Sequence, residues 1–129
     1  EAAFLKLEAL GYRVGYALAE TLTRDKARLA GPEEAVKFVC KEFWTTVFSK
    51  QADNLKTNHK GVYVWSDHHF RWFRSFASVQ GAADTSNKTA PYLAYPCGLV
   101  RGALANLGVA GTVAAEAVHV PHVTFQMKV

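Results

Sequence analysis

Pro96 to Val109 reads PCGLVRGALANLGV, and the reading of its inner glycines decides the fold. The run has helical periodicity, yet Gly98 and Gly102 stand about one turn apart with Arg101 between them. Each interior glycine costs a helix roughly 0.5–1 kcal/mol relative to alanine, so the missing side chains must serve a purpose. At about 100° per residue, Val100, Leu104 and Leu107 gather on one side, while Gly98, Gly102 and Ala105 gather opposite. This predicts a helix whose large side chains press on a sheet and whose flat flank admits a second backbone to close range. Gly11 and Gly15 repeat the spacing upstream, so a first helix is expected to cross there. Arg101 borders the flat side. If buried, it needs a carboxylate or backbone carbonyls, because an unpaired buried charge is strongly unfavourable. A phosphate loop does not fit, since no G-x-x-x-x-G-K-[ST] is present and both glycines lie inside the helix.

Working outward, Leu7, Gly11, Val14, Gly15, Leu18 and Leu22 recur at helical spacing from Leu7 to Leu22, with Arg13, Glu20 and Thr23 on the far side. Gly31-Pro32-Glu33-Glu34 marks a second helix start, because proline suits the first turn and carboxylates suit the positive end of the helix dipole. That helix is expected to reach about Ser49, with Val36, Val39, Cys40, Phe43, Val47 and Phe48 as its buried stripe and Trp44 at its edge. QADNLKTNHKG (51–61) is polar and turn-rich. The period then shortens to two, which predicts a hairpin of Val62–Trp65 and Phe70–Phe73 turning at Ser66–His69. QGAADTSNKTAP (80–91) is a loop without an apolar anchor. Thr112–Val118 and Val123–Val129 predict a second hairpin turning at His119–His122. The order is helix, helix, strand, strand, helix, strand, strand, without βαβ alternation, so the fold class is α+β with an antiparallel sheet.

The chain has 129 residues, half of them hydrophobic, a net charge of +4 and two cysteines. This is the profile of one globular domain that folds without disulfides or metal. Cys40 and Cys97 sit in apolar helical runs, which reads as cytosolic. No run reaches the roughly 18 apolar residues of a membrane span. The moderate positive charge fits an anionic lipid surface or an acidic partner, but the basic residues are spread rather than blocked into a nucleic-acid tail.

Candidate chemistry is sparse. His68-His69 and His119/His122 raise a metal site, but no cysteine or carboxylate completes a tetrahedral set at recognisable spacing. Cys97 falls near a helix start, where a thiolate is favoured, yet no third-residue pattern accompanies it, and an inert buried thiol is the simpler reading. Tyr63, Trp65, Phe70, Trp72 and Phe73 raise RNA binding on an aromatic sheet. KGVYVWSD begins like an RNA-recognition signature, then places Val62 and Val64 where stacking aromatics belong. The expectation is no catalytic residue, no cofactor, no metal and no nucleic acid. Phe4, Leu5, Tyr12, Tyr16 and Trp44 are the candidate interface residues, because Tyr12 and Tyr16 project away from the Leu/Gly stripe. Gly11, Gly15, Gly98, Arg101 and Gly102 are the helix-packing set.

LEALGYRVGYALAE, KFVCKEFW, KQADNLKTNHKGVYV, PCGLVRGALANLG and the terminal FQMKV together resemble the small subunits of the transport protein particle (TRAPP), specifically the subunit-six type. The similarity runs from about Leu7 to Val129. It implies an α/β plait with helices on one side of a four-stranded antiparallel sheet. It also implies a non-catalytic building block of a vesicle-tethering complex between endoplasmic reticulum and Golgi, cytoplasmic and peripheral at those membranes. The assembled complex in this family activates a Rab-type GTPase by nucleotide exchange. A paralogue of the subunit-three type is the implied heterodimer partner, with a homodimer open for the isolated chain. The paralogue's acylated cysteine has no counterpart in Thr23–Pro32, so no acyl group is expected there. The family's additional N-terminal helix is longer than Glu1–Lys6 can supply, and weaker or different pairing is the expected result. An acyl-chain or small-ligand module remains the alternative reading, with an RNA-binding plait behind it.

Overall fold

A computed structural model describes residues 2–24, 31–68, 93–119 and 122–129, with the backbone alone at 2–4 and 118–119. Helix α1 spans Ala2–Thr23. Helix α2 starts as Pro32–Phe38, continues as a π-helical turn at Val39–Phe43 and closes as Trp44–Phe48. Strands β1 (Asp53–Thr57) and β2 (Val62–Asp67) come next, then α3 (Ala94–Asn106), β3 (Thr112–His119) and β4 (His122–Lys128). The sheet order is β1-β2-β4-β3, antiparallel throughout. Fold class and element order are as the sequence predicts.

The first hairpin differs from its prediction. Strand β2 pairs backward with the 53–57 segment, Tyr63 facing Thr57 and Val64 facing Lys56, and Ser66 and Asp67 stay in the strand instead of turning. The turn lies at 58–61. Asn58 Oδ1 accepts from the Lys60 and Val62 amides at 2.7 and 3.2 Å, and His59 and Gly61 take left-handed φ values of 58° and 94°. A polar stretch can be a strand here because β1 is an edge: only Leu55 packs toward the core, and charge on an edge strand discourages edge-to-edge pairing. Phe70–Phe73, Trp72 among them, and the 80–91 loop lie outside the described residues.

Helix α2 begins at Gly31 with proline at its first position, as predicted, and stops at Ser49, whose φ of 68° breaks the helix. Within it the π-helical turn leaves the Cys40 carbonyl to accept from the Ala52 amide at 2.8 Å, tying the helix to the entry of β1. Trp44 then points inward. It is fully buried, stacked edge-on against Trp65 and Phe125, and its Nε1 donates to Asp67 at 2.9 Å. Its expected place at the helix edge is therefore corrected: the extra residue of the π turn rotates the last turn of the helix toward the sheet. Tyr63, Trp65, Phe125 and Met127 on the same sheet face complete this core. Tyr63 and Trp65 consequently offer no open stacking platform of the kind an RNA-binding sheet presents.

Helix α3 touches β3 and the π turn on one side and α1 on the other. Its end is capped at Gly108 (φ 84°), with Val109 N donating to the Leu104 carbonyl at 2.8 Å.

Candidate functional site

The α1–α3 crossing is built by absent side chains. A Cβ on Gly98 would stand 2.9 Å from Tyr12 N and closer still to the Glu8 carbonyl; one on Gly102 would meet the Tyr12 carbonyl carbon at 2.8 Å. From the other side, a Cβ on Gly11 would meet Leu99 N at 2.9 Å, and one on Gly15 the Leu99 carbonyl carbon at 2.7 Å. All four would press on backbone, which cannot move aside without moving its helix. Arg101 closes the edge of this crossing. Its Nε and Nη2 donate to the two Glu8 carboxylate oxygens at 2.8 Å each, and its guanidinium lies 4.3 Å from the centroid of the Tyr12 ring. The Glu8 hydrogen bonds hold the Arg101 pKa above its ordinary value against the opposing effect of burial.

Because α1 spends its glycine face on α3, its remaining apolar groups look outward. Leu10 and Val14 are 52% and 45% exposed on one flank, and Leu5 and Tyr16 are 65% and 43% exposed on the other. Val14 thus leaves the buried stripe assigned to it from periodicity, since the close glycine contact narrows the buried face to Gly11, Gly15 and Ala19. On the Leu10/Val14 flank, a groove of about 450 Å³ is lined by Arg13, Val14, Ala17, Leu18 and Thr21. A second of about 300 Å³ is lined by Lys6, Ala9, Leu10 and Arg13. Arg13 is common to both, so the two form one apolar furrow rimmed by cations. The sequence reading overlooked Leu10 and Val14; an apolar pair at i, i+4 was the signal, masked by assigning Val14 to the core.

The other candidates fall in different parts of the molecule. Leu5 and Tyr16 are exposed, and Tyr12 is half-buried beneath Arg101 and stacked on Tyr16 with centroids 6.3 Å apart. Trp44 is core and out of reach of a partner. The Phe4 side chain and His69 lie outside the described residues. Cys40 and Cys97 are buried and free, and burial pushes both thiols up to about 12, with the Glu8 carboxylate adding to the effect on Cys97. Among the described residues, no three His, Cys, Asp or Glu side chains come together to hold a metal ion.

One polar network links α2 to the sheet. Lys50 Nζ donates to Asp53 at 2.7 Å and to the wholly buried Asp67 at 3.2 Å, and Asp53 also accepts from the His68 amide at 3.0 Å. Burial works to raise the Asp53 pKa, but the hydrogen bonds from Lys50 and His68 outweigh it and hold the carboxyl below its ordinary value. No helix among the described residues is long and apolar enough to cross a membrane.

Residues 2–129 match the family model described as transport protein particle (TRAPP) component. The chain belongs to the TRAPP component family. Trafficking protein particle complex subunit 6B of Mus musculus is 45% identical over 124 residues, covering 96% of this chain and 77% of that protein. Subunit 6A of Homo sapiens is 40% identical over 121 residues, covering 94% and 74%. These identities put the chain with the subunit-six type of TRAPP component. A crystal structure of subunit 3 from Naegleria fowleri, covalently bound to palmitic acid, superposes with a TM-score of 0.71 over 99% of this chain and 81% of that one. At 16% identity that likeness shows the shared TRAPP fold alone.

Proposed function

We propose that the chain is a non-catalytic structural subunit of a TRAPP-type vesicle-tethering complex and that α1 is its docking element for a paralogous subunit of the subunit-three type. The carrying observation is the pair of exposed residues Leu10 and Val14 along a furrow on a helix already anchored by its opposite, glycine-bearing face. Large apolar side chains presented from a rigid helix beside shallow grooves suit a protein partner, which would bury them behind a polar rim. Lys6 and Arg13 on that rim favour an acidic edge on the partner. Leu5 and Tyr16 on the other flank offer a second contact, so that one helix can meet two neighbours.

In this reading the complex acts cytoplasmically between endoplasmic reticulum and Golgi, peripheral to their membranes, and activates a Rab-type GTPase by nucleotide exchange. The chain contributes architecture to that activity, not a reacting group. Family membership and the 45% identity to a trafficking particle subunit support the assignment.

The test is the solution mass, by size exclusion with light scattering, of the chain alone and mixed with a subunit-three-type paralogue. A one-to-one complex that displaces self-association supports the docking role. A monomer indifferent to the paralogue overturns it.

A further inference from the structure

The two edges of the sheet differ. Strand β1 is five residues long, its register slips between Asp53 and Lys56, and Asn54 takes a left-handed φ of 52°. Short length, slips and charges are the features that keep an edge strand from pairing further. Strand β3, at the opposite edge, has eight residues without lysine, arginine or proline, and it pairs with β4 in unbroken register from Thr112 to Glu116. Among the described residues no strand pairs with its outer side, so alternate N–H and C=O groups there point outward.

The core face also runs out at β3. Val113 and Ala115 face Met127 and Phe125 of β4, which are wholly buried, yet are themselves only half-buried. On the other face Thr112, Ala114 and Glu116 are exposed, and Glu116 makes no ion pair among the described residues. We propose that β3 is a strand-addition site for an extended segment of a partner protein, with apolar side chains beside Val113 and Ala115 and a lysine or arginine opposite Glu116. The unpaired main chain specifies an extended occupant, since a strand matches alternating N–H and C=O groups along an edge and its alternate side chains supply selectivity. Apolar groups on its inner face continue the core by one strand. Opposite charges facing each other across antiparallel strands are favourable, whereas like charges are not. A second copy paired through β3 offers Glu116 no such cation, because Thr112–Glu116 holds neither lysine nor arginine. The site lies on the sheet and shares no residue with the α1 docking surface.

NMR of the isotopically labelled full chain, titrated with a synthetic peptide, tests this. The peptide has seven residues of alternating threonine and valine, with lysine in place of the second threonine, so that antiparallel pairing sets its lysine against Glu116. Saturable shifts centred on the Thr112–Glu116 amides are expected, and they should vanish when the peptide is N-methylated along the bonding edge. Glu116→Lys, an exposed change, should weaken this peptide at least about twofold and favour the peptide that carries glutamate instead of lysine. No shifts at millimolar peptide, shifts centred on Asp53–Thr57, binding indifferent to N-methylation, or equal affinity of Glu116→Lys for both peptides overturns the proposal. Exchange protection of the outward β3 amides before any peptide is added, the mark of a second copy seated there, also overturns it.

Discussion

Gly98 and Gly15 invert the usual sign of a glycine-to-alanine change. On an open helix surface alanine stabilises by roughly 0.5–1 kcal/mol. Here the added methyl group would meet backbone atoms at under 3 Å, and such overpacking typically costs about 1–3 kcal/mol. Gly98→Ala and Gly15→Ala should therefore lower stability in urea unfolding, and a rise in the midpoint would show that the crossing is looser than described. The two thiols give a chemical reading of the same core. Their pKa of about 12 lies above the ordinary thiol value of 9.0, so the unfolded chain loses these protons first. Between pH 9 and 12 the unfolded state then binds fewer protons than the folded one, and stability falls as pH rises through that window. Thiolate-selective disulfide reagents should accordingly titrate both cysteines only on unfolding; rapid modification of the folded chain would contradict their burial. Gly98 and Gly102 were legible in the sequence because a costly residue at regular spacing asks for a reason. The Glu8 partner of Arg101 was not, since 93 residues separate them and only the crossing brings them together.

At the scale of elements, α2 and β1 depend on one another. The π turn rotates Trp44 onto Asp67, and Lys50 then bridges Asp67 to Asp53 at the start of β1. Asp53, held below its ordinary carboxyl pKa, adds stability above the unfolded value near 3.8 and loses it as pH falls through the folded value. Asp53→Asn should flatten the acid side of the stability profile measured by denaturant unfolding; an unchanged acid limb would remove Asp53 from the account. The periodicity of α1, β2 and β4 could be read from sequence because each buries a regular set of side chains. Strand β1 could not, because an edge strand with one inward residue, Leu55, carries almost no alternating signal.

For the whole molecule, the useful division is between the face of α1 consumed by α3 and the flanks left outside. Leu10→Asp and Val14→Asp remove exposed apolar area, so thermal unfolding of the isolated chain should change little. Affinity for a subunit-three-type paralogue should drop by tenfold or more, about 1.4 kcal/mol. Tyr16→Asp tests the opposite flank in the same measurement. Loss confined to Tyr16 would move the docking surface to the Leu5 side, and no loss from any of the three would take pairing off α1. By itself the sequence determined the α+β class, the order of elements, the glycine-mediated meeting of two helices and membership of the TRAPP family, because each is written in local periodicity, residue cost or motif order. Tertiary structure alone decided the partner of β2, the burial of Trp44, the outward turn of Val14 and the meeting of His68 with His122. Those depend on which elements occupy neighbouring positions in space, and the free energy that selects them comes from contacts between segments distant in the chain.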